Sequence, residues 1–408
     1  MTRRAGVAGV AALAAAAALT LGARARPVVR AGLDVVARDG AGELRGRRVG
    51  LIANPASVTA DGRRSVDVLR AAGAKVVRLY APEHGAAGTQ AAGQRVADGT
   101  DPQSGLPVVS LYERREGLAP ADLAGIDALV YDLQDAGVRF YTYSSDLVLA
   151  VASAAEASVE LVVLDRPNPL GGERVEGPAS DGVVPPSPVN RTPGPLVHGL
   201  TTGELARLVN ARREKPARLR VVAMEGWSRA MTWADTGRAW IPPSPNLRTA
   251  EAAIAYPGTC LIEAANVTEG RGTGAPFLLL GAPWLDVEAV RRRVKVPGFA
   301  LAPEPFTPRA SPAAPEPKWR DTACRGLRVR VTDPRKARPY ALGVTLLHEM
   351  RRQPAFAWSG RPDHLDWLLG TRAVRAALER GDTPEQILSA DEAGIAAFRR
   401  ERVSALLY

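Results

Sequence analysis

The residues best suited to chemistry in this 408-residue chain sit just after apolar runs. Arg48–Ala53 leads into Asn54-Pro55, and Lys75–Ala81 into Pro82-Glu83-His84-Gly85. Glu83 and His84 are poor turn formers held between a proline and a glycine, so a carboxylate and an imidazole are presented by a fixed backbone. Such a pair suits general acid/base work. Asp127–Leu133 leads into Gln134-Asp135, with Arg139, Tyr141 and Tyr143 close behind. Glu160–Asp165 leads into Arg166-Pro167-Asn168-Pro169. Asn54 and Asp165 also suit turn or cap positions for backbone reasons alone. Further along, the rigid loop Ile241-Pro242-Pro243-Ser244-Pro245-Asn246 ends in an amide, and Glu269-Gly270-Arg271-Gly272 sets a carboxylate and a guanidinium between small residues. The latter also reads as a turn closed by a surface ion pair.

These residues converge only if the elements behind them form one sheet. The runs at 48–53, 75–81, 106–112, 127–133 and 160–165 are nearly continuous in Val, Leu and Ile, with helix-like stretches such as 65–72 and 143–156 between them. Continuous apolar strands alternating with helices predict a mostly parallel, doubly wound α/β sheet covered on both faces. Ligands of such sheets bind outside the carboxyl ends of the strands, where the polar residues collect. The Pro/Gly-rich stretch 171–195 predicts a boundary loop, giving units at 26–180 and 181–408. In the second, Thr201-x-x-Glu204 and Thr383-Pro384-Glu385-Gln386 are helix starts. The runs 219–224, 277–280, 327–331 and 342–347 predict a second α/β unit, and 303–317 an exposed proline-rich loop.

Composition narrows the class. With 46% hydrophobic and 24% charged residues the chain can pack a core, which excludes wholesale disorder. The net charge of +10 favours anionic partners. The arginines are scattered, however, so no nucleic-acid footprint is expected. Arg3-Arg4, an uncharged stretch at 5–22 and Ala23-Arg24-Ala25 form a signal-peptide pattern over residues 1–25 and predict export to the periplasm or exterior. An uncleaved leader would be the one membrane contact. Cys260 and Cys324 are expected either as one disulfide or as small core residues. There is no phosphate-binding loop, dinucleotide fingerprint or nucleophile elbow, and the four histidines (84, 198, 348 and 364) lack metal-ligand spacing. Neither a cofactor nor a metal is expected.

The motifs APEHG (81–85), YDLQDAGVRFYTY (131–143), VLDRPNPLGG (163–172), HGLTTGELA (198–206), PPSPNL (242–247), YPGTC (256–260) and EGRGT (269–273) occur in this order. Together they resemble the exo-lytic β-N-acetylmuramidases of the NamZ type, over roughly residues 31–408. The resemblance implies a Rossmann-like N-terminal domain, a smaller C-terminal α/β domain and an active site in the cleft between them. It also implies release of N-acetylmuramic acid (MurNAc) from the non-reducing ends of peptidoglycan fragments. The family's suspected catalytic Glu and its neighbouring His fall on Glu83 and His84. Where the family usually has a bulky residue after PEHG, this chain has Ala86, so the preferred fragment is open.

On that reading Glu83 is the acid or acid/base, assisted by His84. The second group is open between Glu269, Asp135 and the substrate's own acetamido oxygen. Arg271 and Arg139 are the candidates for the lactyl carboxylate. Asn54, Asp135, Arg139, Tyr143, Asn168, Asn246, Glu269 and Arg271 form the expected binding set. The alternatives are a non-catalytic muropeptide-binding protein and a cell-wall esterase or amidase.

Overall fold

Strands buried on both faces organise the first half of the chain. The protein is described by a computed structural model covering residues 28–408 except 113, 115, 360 and 362. The expected leader at 1–25 lies outside the described residues. Strands β1 (Arg48–Ala53), β2 (Lys75–Ala81), β3 (Gly99–Thr100), β4 (Pro107–Ser110), β5 (Ala128–Asp132) and β6 (Glu160–Leu164) follow in sequence. After β6 come a short antiparallel pair, β7 (Glu176–Ala179) and β8 (Pro195–Val197), and then β9 (Leu219–Val222). The large sheet has seven strands in the order β3-β4-β2-β1-β5-β6-β9, and every neighbouring pair is parallel except β3 with β4. Without β3, the order is that of the doubly wound Rossmann sheet, and it reverses direction between β1 and β5.

Alternate residues of each strand feed opposite faces. Leu129, Tyr131, Leu161 and Val163 pack on one side with Leu147 and Val151 of helix α3, while Ala128, Val130, Val162 and Leu164 pack on the other with Leu33 and Leu69 of α1 and α2. These helices are α1 (Gly32–Asp39), α2 (Ser65–Ala71) and α3 (Thr142–Glu156). Helix α4 (Thr202–Ala211) opens on the expected capping box: Glu204 N–H donates to Thr201 Oγ1 (3.2 Å) and Thr201 N–H to Glu204 Oε2 (3.0 Å).

Two expectations change here. Leu219–Val222, read as part of a second unit, is the edge strand β9 beside β6. The expected division after residue 180 falls between the paired strands β7 and β8, so the sheet topology carries the first unit past that point. The Pro/Gly-rich stretch is also not a free linker, because residues 175–178 are buried.

The rest of the chain builds a three-stranded antiparallel sheet in the order β10-β12-β11, from β10 (Leu279–Ala282), β11 (Phe299–Pro303) and β12 (Arg325–Val331). Around it lie α5 (Ala250–Thr259), α6 (Val287–Arg293), α7 (Pro339–Arg351), α8 (His364–Leu369), α9 (Ala373–Arg380), α10 (Pro384–Ala390) and α11 (Glu392–Glu401). The run 342–347 lies inside α7. Helices α5 and α7 touch through Gly258 and Gly343: a Cβ at Gly258 would come within 1.9 Å of the Pro339 carbonyl oxygen.

A single cluster of buried apolar residues runs from Ile52 to Ala405 and takes in both sheets. The C-terminal tail returns to the first half, where the Tyr408 hydroxyl donates to Asp165 Oδ2 (2.7 Å). Cys260 and Cys324 are both buried and free, which decides between the two expectations for them. Among the described residues no helix is long and apolar enough to cross a membrane.

Candidate active site

A cleft of about 940 Å³ opens beyond the carboxyl ends of the large sheet, with Glu83 and His84 on one wall. Strand β2 delivers both. His84 takes a left-handed backbone (φ 74°), a conformation uncommon for a residue with a side chain and one that clusters at functional sites. Its Nδ1 lies 2.7 Å from the Gln90 carbonyl oxygen. A carbonyl can only accept, so Nδ1 carries the proton, and in the neutral ring Nε2 keeps its lone pair. Gly85 follows with φ 76°, and a Cβ there would strike the Gln90 side chain at 2.3 Å.

The Glu83 carboxylate is half-buried and held at both oxygens. Oε1 accepts from Gly93 N–H and Oε2 from Thr142 Oγ1, each at 2.9 Å. Thr142 is the first residue of α3. One turn on, burial pushes the Asp146 carboxyl well above its ordinary range, and the negative charge of Glu83 pushes it the same way against Arg191.

The second half of the chain builds the facing wall as an ion network. Arg271 Nη1 lies 2.5 Å from Glu263 Oε1 and 2.8 Å from Glu269 Oε1, and its guanidinium stacks 5.0 Å over the Phe277 ring. His364 Nε2 is 3.4 Å from Glu263 Oε2. Burial alone would raise the Glu263 carboxyl, but the Arg271 charge and the His364 hydrogen bond hold it well below the usual range. Lys318 Nζ donates to the carbonyls of Glu263 (2.7 Å), Ala265 (2.8 Å) and Val267 (3.2 Å) and stands 3.8 Å from Glu269 Oε2. Among the described residues, the buried acceptors Glu269 Oε2 and Asn246 Oδ1 on the cleft have no hydrogen-bond donor. Asn246 Nδ2 donates to the Ala313 carbonyl (2.8 Å), which fixes the amide so that its oxygen is the free end. Phe140, Tyr141, Tyr256 and Phe277 line the cleft as well, joined edge to face. Phe277, like His84, has a positive φ (63°).

Of the residues singled out in the sequence, Glu83, His84, Asn246, Glu269 and Arg271 meet in this cleft. Asn54 and Tyr143 stand behind it. Asn54 Nδ2 donates to the Tyr143 hydroxyl (3.0 Å), and both donate to the Pro243 carbonyl (3.0 and 2.7 Å), bracing the loop that carries Asn246 against the end of β1. Asp135, Arg139 and Asn168 do not line the cleft. Asn168 closes a turn, accepting from Leu170 N–H (2.8 Å) and donating to the Leu200 carbonyl (2.8 Å).

Arg139 is fully buried and donates to the Leu369 and Pro178 carbonyls. Burial lowers its pKa to about 10, and it forms no ion pair among the described residues. Asp135 faces His198, with Oδ2 at 3.7 Å from Nε2. Burial raises Asp135 to about 7 and lowers His198 to about 3. The sequence reading missed Thr142, Glu263, Lys318 and His364 as cleft residues. The stretch 303–317, expected to be exposed, supplies the lining residues Ala313–Pro317.

Two family models cover the chain almost end to end: exo-β-N-acetylmuramidase NamZ, N-terminal, over residues 49–251, and its C-terminal counterpart over 254–408. The chain belongs to the NamZ family. The curated peptidoglycan β-N-acetylmuramidase NamZ of Bacillus subtilis (strain 168) is 37% identical over 391 residues, spanning 94% of this chain and 92% of that protein. Crystal structures of two DUF1343 family proteins from Bacteroides fragilis NCTC 9343 superpose on 94% of the chain. One has a TM-score of 0.84 at 31% identity and is covered in full; the other has 0.75 at 28% and is covered to 99%. In this NamZ-family chain the cleft spans the junction of the two matches. Glu83, His84, Thr142 and Asn246 come from the N-terminal part, and Glu263, Glu269, Arg271, Lys318 and His364 from the C-terminal part.

Proposed function

We propose that the protein is an exo-acting glycoside hydrolase that releases MurNAc from the non-reducing ends of peptidoglycan fragments. The observation that carries this reading is the end-to-end family match falling on a cleft with Glu83 on its wall. Glycoside hydrolysis needs a proton on the leaving oxygen and support for an oxocarbenium-like centre. Glu83 is the acid/base, and Gly93 and Thr142 fix the orientation of its two oxygens on the cleft wall. His84 Nε2 supplies an acceptor on the same wall. The lactyl carboxylate of MurNAc meets Arg271, whose side chain is part-exposed on the cleft, whereas Arg139 is walled off in the interior. Asn246 Oδ1 and Glu269 Oε2 take sugar hydroxyl or amide donors.

The test is to incubate the protein with a defined MurNAc–GlcNAc disaccharide and follow free MurNAc. Release by wild type, cut by ~10²-fold or more in a folded Glu83→Gln variant, is the expected result. Tight binding without turnover would mark a capture protein. Cleavage of an acyl or peptide bond instead would mark an esterase or amidase.

Export is part of the same proposal. It is supported by Arg3-Arg4 ahead of an uncharged stretch and Ala23-Arg24-Ala25. N-terminal sequencing of the native protein from the envelope or medium should begin near residue 26, and an intact Met1 would overturn cleavage.

A further inference from the structure

Six of the seven tryptophans are buried or packed against apolar clusters; Trp367 alone is exposed, at 37%. It is also the one aromatic among the five exposed large apolar side chains of the described residues. It is not on an arbitrary surface, because Trp367 lines the cleft. Helix α8 explains its placement. His364, which pairs with Glu263 in the ion network, lies one turn before Trp367, so the two share a helix face. That face runs from the half-buried network out to the mouth of the cleft. The ring is also held in place: Nε1 donates to Asp363 Oδ2 at 3.0 Å. An indole that contributes nothing to the core, yet is fixed at a cleft mouth, presents a flat apolar face of the kind against which the C–H face of a pyranose stacks.

We infer that Trp367 is the stacking platform of an outer subsite, which holds the sugar on the leaving-group side of the scissile bond. The inference rests on the muramidase reading and adds a subsite to it. An exo-acting enzyme keeps the terminal sugar inward, near Glu83 and the ion network, and leaves the rest of the glycan at the mouth. The volume of about 940 Å³ lies near the top of the range for small-ligand pockets, roughly 300–1,000 Å³, and leaves space beyond the terminal sugar. Trp367 therefore selects for a MurNAc residue that still carries a second sugar.

Steady-state kinetics of Trp367→Ala and Trp367→Tyr on the MurNAc–GlcNAc disaccharide test this, with free MurNAc as a competitive inhibitor that reports the inner subsite. Trp367→Ala is expected to raise KM for the disaccharide by about tenfold, the pattern of lost ground-state binding. The inhibition constant of MurNAc should move much less, and Trp367→Tyr should recover most of the loss. An unchanged KM overturns the inference. So does a parallel rise of KM and the MurNAc inhibition constant, which would place the ring at the inner sugar. If wild type releases no MurNAc, the muramidase reading fails instead. Calorimetric binding of the disaccharide then decides the platform by itself, and equal affinity in wild type and Trp367→Ala overturns it.

Discussion

Asp135 and His198 face each other behind the cleft, and burial favours the neutral form of both. Leu200 N–H donates to His198 Nδ1 (3.1 Å), so the ring proton sits on Nε2, the nitrogen turned toward the carboxyl. The pair tests how far the interior excludes charge. With a folded pKa of about 7 against about 3.9 in an unfolded chain, Asp135 binds more proton when folded between those values. Its contribution to stability is therefore full below the unfolded value and lost as pH rises through 7. His198, lowered to about 3, acts in the opposite sense: stability falls as pH drops from about 6.5 toward 3. Asp135→Asn removes the first slope and keeps the second. The variant should gain on wild type between pH 4.5 and 8 by up to roughly 3–4 kcal/mol in urea unfolding. A gap that does not change with pH would mean that Asp135 is ionised when folded. The contrast with Glu83 shows what single residues reveal in a sequence. Glu83 and His84 were legible because Pro82 and Gly85 constrain their backbone. Arg139 was not, since a guanidinium looks equally available wherever it stands until burial is known.

Among the elements, the short 3-10 turn Cys260–Ala264 carries Glu263, and Lys318 donates to the Glu263 carbonyl and to those of Ala265 and Val267 just beyond it, while Ser359 donates to the Glu263 and Ala264 carbonyls. Lys318 follows the proline-rich segment in the connection between β11 and β12. A cation that gathers several carbonyls fixes both the turn and the ion network built on it. Lys318→Met keeps the apolar stem and deletes the donors. It should cost about 1–3 kcal/mol of stability and reduce turnover by disordering Glu263 and Glu269. Chemical denaturation alongside kcat checks both, and wild-type values for the two would show that water replaces the ammonium without loss. The same element explains why part of the fold was hidden in the sequence. Strands β1, β2 and β6 were legible at their observed places because burial on both faces makes their apolar runs continuous. The stretches 171–195 and 303–317 were read as linker and exposed loop from proline and glycine content. That composition reports backbone conformation and says nothing of what packs against it. Contacts distant in sequence turn the first into the pair β7–β8 and the second into a cleft wall. For the same reason β9 was assigned to the wrong unit: its partner β6 lies more than fifty residues earlier.

The molecule as a whole has a cleft between two sheets but one apolar core beneath both. Cleft enzymes built from loosely joined domains close by hinge rotation, and relative motion is the default where the interface is small and polar. Here rotation would have to break a continuous cluster that includes Tyr131 and Leu161 of the large sheet and Leu280 and Leu327 of the small one. It would also strain the C-terminal tail, whose Arg402 donates to the carbonyls of His198 (3.1 Å) and Gly199 (2.9 Å). Ligand accommodation is thus left to loops at the mouth, chiefly the segment from His84 to Gln94 that Glu83 holds through Gly93. The expected result is a radius of gyration by small-angle scattering that stays the same when saturating disaccharide is added to Glu83→Gln protein. Hydrogen exchange should slow in residues 84–94 but not at the junction near residue 250. A measurable compaction, or protection centred on that junction, would show that the two halves move as bodies and that the shared core is less continuous than its packing implies.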